Sequence, residues 1–200
     1  MKKLLKLLPV VALAFAFFAG TGANAACLGT GTSCSENTTV QVTIDPGDIC
    51  IGSTGSFDFG NYTVSSSSQT VTGAFTDYFW VEDLKGADSG YYTTLQLSGD
   101  LTGPGGATIP AANVSVKTSA VGAAWVTTMA GSSNTRVVVD SNMASYQSLD
   151  SARTYIKRDT AANYGVIGKY GALPQLQVVI PAYQSVGVYT ATLVYTLYEN

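Results

Sequence analysis

Residues 189–198 carry the constraint that governs what this chain can fold into. Tyr189, Ala191, Leu193, Tyr195 and Leu197 fall on one face of this run, and Thr190, Thr192, Val194, Thr196 and Tyr198 on the other. A repeat of two residues is the period of an extended strand, and on a helix it would scatter the apolar side chains around the axis. The same period recurs at residues 39–44, where Val40, Val42 and Ile44 alternate with Thr39, Gln41 and Thr43 ahead of the turn-forming Asp45-Pro46-Gly47-Asp48. Further strands are expected at residues 55–59, 69–72, 78–84, 91–98, 113–118, 135–140, 176–180 and 188–198. Clusters such as Ser65-Ser66-Ser67-Ser68 and Gly103-Pro104-Gly105-Gly106 separate them. Many short strands at this spacing predict an all-β chain, an antiparallel β-sandwich of immunoglobulin-like or jelly-roll-like kind, with one short helix at residues 147–156. In the last strand Tyr189, Leu193, Tyr195 and Leu197 are expected in the core.

Composition narrows the chemistry. The 200 residues contain no histidine and only 12% charged residues, which removes the commonest general base and the commonest neutral metal ligand. No Ser or Lys sits in a nucleophile motif such as Gly-x-Ser-x-Gly, so no catalysis is expected. Two carboxylates flanking a sugar would allow glycoside hydrolysis, but a chain with 13 acids offers such pairs by chance.

The start of the chain reads as a leader. Lys2, Lys3 and Lys6 precede an apolar run through Phe18, and Ala23-Asn24-Ala25 is a small-x-small cleavage site. Residues 1–25 are therefore assigned as a signal peptide, 26–37 as an N-terminal segment and 38–200 as the sandwich domain. Cleavage removes three lysines and no acid, leaving seven basic against thirteen acidic residues, a net charge of −6. So acidic a chain is a poor ligand for phosphate backbones or anionic lipid, and neither nucleic acid nor, after cleavage, a membrane span is expected.

Export permits disulfides, and Cys27, Cys34 and Cys50 allow one pair, Cys34 with Cys50 or Cys27 with Cys50, and leave one thiol over. Cys27 lacks the upstream apolar residue of a lipoprotein site. Asp83 and Asp88, with Glu82 nearby, are candidate oxygen ligands for Ca²⁺, although a solvated hairpin loop explains them more simply. Tyr78, Phe79, Trp80, Tyr91, Tyr92 and Trp125 are candidates for an aromatic platform, but alternation requires either Phe79 or the Tyr78 and Trp80 pair to point inward.

Two runs carry a resemblance. Pro181-Ala182-Tyr183-Gln184-Ser185-Val186-Gly187 leads into a Thr-rich strand ending Tyr195-Thr196-Leu197, and an acidic, glycine-containing loop after Val81 leads into Gly90-Tyr91-Tyr92-Thr93. These look like the two motifs of WxL surface domains, with Tyr91 and Tyr195 where that family carries tryptophan and Thr93 in place of its first leucine. The resemblance implies an all-β domain on an exported protein, held noncovalently at the bacterial cell surface and bound to cell-wall polymer or to a neighbouring surface protein. It makes Tyr91, Thr93, Tyr195 and Leu197 the candidate partner-binding residues and places their two strands close together. A different class of function is a fibre or coat subunit that self-assembles by lending residues 26–39 to a neighbour's sheet edge.

Overall fold

The structure is a computed structural model that describes residues 39–53, 55–85, 89–118, 126–131, 136–158 and 167–200. Residues 1–25, expected as a leader, together with Cys27, Cys34, Asp88, Trp125 and nearly all of the segment 26–39, lie outside these residues. The chain divides after Thr43, and every described strand belongs to the unit Ile44–Asn200.

The strands run β1 (Ile49–Gly52), β2 (Gln69–Ala74), β3 (Phe79–Asp83), β4 (Tyr91–Leu97), β5 (Leu101–Thr102), β6 (Thr108–Ile109) and β7 (Val114–Thr118). After them come β8 (Thr127–Gly131), β9 (Val137–Val139), β10 (Gln147–Ser148), β11 (Arg153–Arg158), β12 (Gly168–Ala172), β13 (Pro174–Ile180) and β14 (Leu193–Glu199). They form three four-stranded sheets, sheet 1 in the order β1-β3-β12-β8, sheet 2 in the order β10-β7-β13-β2 and sheet 3 in the order β14-β4-β11-β9, with β5 and β6 as a small ribbon. Every pairing is antiparallel. Helical structure among the described residues is confined to single turns at Pro104–Gly106, Ala111–Asn113 and Ser141–Ala144. The fold is thus an all-β sandwich, as its alternating sequence predicts. No helix among the described residues is long and apolar enough to cross a membrane.

One core joins the layers. Phe79 and Val81 from sheet 1, Val71, Val116 and Val178 from sheet 2, and Leu95, Tyr155 and Ile156 from sheet 3 are all buried in it. Phe79 stands edge-on to Tyr155 and to Tyr195, with ring centroids 6.4 and 5.3 Å away. Such edge-to-face pairs add to the transfer free energy of the buried rings.

Four expectations need correction. Residues 39–44 form no strand, and Val40, Val42 and Ile44 are 92%, 81% and 86% exposed, because alternation makes a strand only where a partner edge supplies the hydrogen bonds. Residues 55–59 also form no strand. Phe57 and Phe59 instead pack edge to face at 4.9 Å and help close the core beside β2. The region 147–156 is not a helix but β10, a bend and the first part of β11. Strand β14 begins at Leu193 rather than residue 188. Its inward face is the one expected, yet Leu193, Tyr195 and Leu197 are only half-buried, as is Tyr189 ahead of the strand, because β14 is the edge of sheet 3.

Candidate functional site on the outer face of sheet 3

The two motif strands are neighbours. β14 pairs with β4 so that Leu197 lies opposite Thr93, Tyr195 opposite Leu95 and Tyr198 opposite Tyr92. Side chains alternate along each strand, so one set faces the core and the other faces out. Tyr91 and Thr93 belong to the inner set and are 1% and 0% exposed. Burial pushes the phenols of Tyr91 and Tyr195 well above the ordinary tyrosine value, with Arg158 opposing the shift at Tyr91 and the Thr93 hydroxyl opposing it at Tyr195. Packed in this way, Tyr91, Thr93, Tyr195 and Leu197 fill and line the core.

Thr93 has a structural task that its sequence position does not reveal. The pairing of β11 with β4 slips between Thr154 and Lys157, and this irregularity leaves Tyr155 and Ile156 buried side by side. The Thr93 hydroxyl donates to the Ile156 carbonyl at 3.0 Å and accepts from the Ile156 N–H at 2.9 Å. One side chain therefore satisfies both backbone groups of a buried residue where the ladder is irregular.

Asp83 is likewise a structural residue. Its carboxylate meets the Arg158 guanidinium at 2.7 Å with both side chains almost wholly buried, and it also accepts from the Lys85 N–H at 3.0 Å. An oxygen held against a guanidinium is not available to Ca²⁺, and the described residues contain no cluster of three or more ligating side chains. Cys50 is a free, exposed thiol on β1, so neither pairing expected of it is made.

The outer set forms a different surface. Across the sheet, Tyr198, Tyr92, Lys157 and Val138 occupy one row, with Thr196, the buried Thr94 and Thr154 in the next. Tyr92 and Tyr198 stack with centroids 4.9 Å apart and planes 13° from parallel. Tyr198 is 43% exposed. Beside the stack lies an open depression of about 240 Å³ lined by Tyr92, Asp140, Thr154, Lys157 and Asn200, with Tyr91 and Arg158 at its inner side. Lys157 reaches Asp140 at 3.1 Å, and the Asn142 N–H donates to the same carboxylate at 3.0 Å. Partial burial works to raise the Asp140 carboxyl, but the Asn142 amide and Lys157 outweigh it and hold it below the usual carboxylate value. Flat ring faces and hydroxyls on one sheet, with an ion pair at its edge, suit a ligand with apolar C–H faces and many hydroxyls.

The other candidate aromatics divide as alternation requires. Phe79 is core, while Tyr78 and Trp80 are half-buried. The Trp80 ring is capped by Lys169, whose Nζ lies 3.6 Å from the centroid, and its other side rests on Gly52, where a Cβ would come within 2.2 Å of the indole. Tyr198 is not a sequence candidate, because it lies on the face opposite that of Tyr195 and Leu197. Its cross-strand register with Tyr92 is the signal that finds it. No protein-family model, curated protein or solved structure matches this chain.

Proposed function

We propose that the chain is an exported, noncatalytic bacterial cell-surface module that binds cell-wall polymer, or a neighbouring surface protein, through the outer face of sheet 3. The observation that carries this reading is the Tyr92–Tyr198 stack beside the Asp140–Lys157 depression. Tyrosine gives large amphipathic contact area with few torsions to freeze, and stacked on a sheet it is already ordered before a ligand arrives. The resemblance to WxL domains supports the same class of function, with contact residues on the outer face in place of the inner ones. Sedimentation of residues 26–200 with isolated bacterial cell walls tests it. The protein is expected in the pellet, with Tyr198→Ala left in the supernatant. Equal sedimentation of the two proteins, or none by either, contradicts the reading.

A further inference from the structure

Two features of this chain are complementary. On one side stands the run Thr39-Val40-Gln41-Val42-Thr43-Ile44, uncharged, alternating and without a strand partner among the described residues. Three β-branched apolar side chains on one face, all more than four-fifths in solvent, have the pattern of a strand's buried face without the strand.

On the other is the outer edge of β14, which pairs with no further strand among the described residues. The Thr192 carbonyl accepts from the Ser98 N–H at 2.9 Å, and the Asn200 N–H donates to the Gly90 carbonyl at 3.0 Å. Even-numbered residues here thus direct their backbone groups at β4, and by the alternation of an antiparallel ladder Leu193, Tyr195 and Leu197 turn theirs to the outer edge. The side chains of these three residues are also the half-covered ones of the inner face. An edge of seven residues with no Pro or Lys and a single terminal charge, Glu199, lacks the usual protection against strand addition.

The remaining sheet edges fit less well. β1, β9 and β10 have four, three and two residues. β8 is exposed along its whole length and offers no apolar seam. At β2, the Phe57 ring packs against Phe75 and covers the place where Gly73 would carry a side chain.

We infer that residues 39–44 of one molecule add as a strand to the β14 edge of a second copy of this chain. Val40, Val42 and Ile44 then cover Leu193, Tyr195 and Leu197, while the donor backbone takes the free N–H and C=O groups of those three residues. The addition is antiparallel. A parallel arrangement would set Asp45 opposite Tyr198 and next to Glu199, adding a second acid beside the one that Lys85 pairs, whereas the antiparallel one carries the two acids to opposite ends. Each copy has one donor and one acceptor, so the contact is head-to-tail and propagates. This inference is independent of what the outer face of sheet 3 binds.

The test uses residues 26–200 and two donor variants, Val42→Asp and Gln41→Asp. Both positions are exposed, so both variants retain the folded sandwich, which matching thermal melts check. Analytical ultracentrifugation should show concentration-dependent oligomers for the parent chain. Val42→Asp should weaken association about tenfold or more by placing a charge in the seam, whereas Gln41→Asp, on the outward side of the donor, should change it little. Hydrogen exchange should show the amides of Leu193, Tyr195 and Leu197 gaining protection in the oligomer and losing it in Val42→Asp. A parent chain that stays monomeric, an equal effect of the two aspartates, or protection gained elsewhere than β14 would overturn the inference.

Discussion

Arg158 on β11 meets Asp83 on β3 at 2.7 Å across the sandwich, tying sheet 3 to sheet 1 by an ion pair sealed inside the molecule. The Arg158 guanidinium lies 5.2 Å from the centre of the Tyr91 ring and also donates to the Ser89 carbonyl. Its charge, its ring contact and its donors hold the segment entering β4 against the end of β3. Removing one member of a buried pair leaves the other charge without compensation. Arg158→Met is expected to cost roughly 3–5 kcal/mol in urea unfolding, and the double variant with Asp83→Asn to recover part of that loss.

Thr93→Val keeps the shape of the side chain and deletes the hydroxyl that serves both backbone groups of Ile156. Two buried polar groups are then unpaired, at a cost of about 2 kcal/mol or more in total. Chemical denaturation measures the loss, and faster hydrogen exchange at the Ile156 amide locates it.

Leu95 and Leu193 make a matched comparison, since both face inward on adjacent strands of sheet 3. Leu95 is fully buried, so Leu95→Ala should cost roughly 2–5 kcal/mol. Leu193 is half-covered at the free edge, so Leu193→Ala in the monomer should cost about half as much, in proportion to the apolar area it removes from solvent.

Alkaline pH should unfold this protein by a specific route. Burial raises the phenols of Tyr91, Tyr155 and Tyr195 above their ordinary value, so the folded state keeps protons that the unfolded chain releases from about pH 10 upward. Stability is therefore fully present below pH 10 and falls as pH rises beyond it. Thermal melts between pH 8 and 12 should show a steep decline in midpoint, with the phenolate absorbance of the buried tyrosines appearing together with unfolding.

Much of this architecture is legible in residue order. Strands β2, β3, β4, β7, β9 and β13 fall where alternation and turn residues place them, and the inward face of β14 is the one its pattern indicates. What stays hidden has physical causes. β11 puts Tyr155 and Ile156 side by side in the core, which breaks the two-residue period and lets a helix seem reasonable. β12 has glycines at positions 168 and 171, and where a side chain is missing there is no pattern to read. Residues 39–44 have a perfect alternation and no partner edge among the described residues, and partner edges are a property of the whole fold. The candidate site divides in the same way: the closeness of the two motif strands is foreseeable, but which face of them is free follows only from which sheets cover the other.

The central claim is that sheet 3 separates a structural face from a binding face, with Tyr195 on the first and Tyr92 on the second. Wall binding and melting temperature measured together on Tyr92→Ala and Tyr195→Ala test this most directly. The account predicts that Tyr92→Ala loses binding while its melting temperature stays close to the parent's, and that Tyr195→Ala melts several degrees lower while its folded fraction still binds, by roughly 4–8 °C for each kcal/mol lost in a domain near 100 residues and less in a larger one. Intact binding by Tyr92→Ala, together with binding lost in a fully folded Tyr195→Ala, would contradict it.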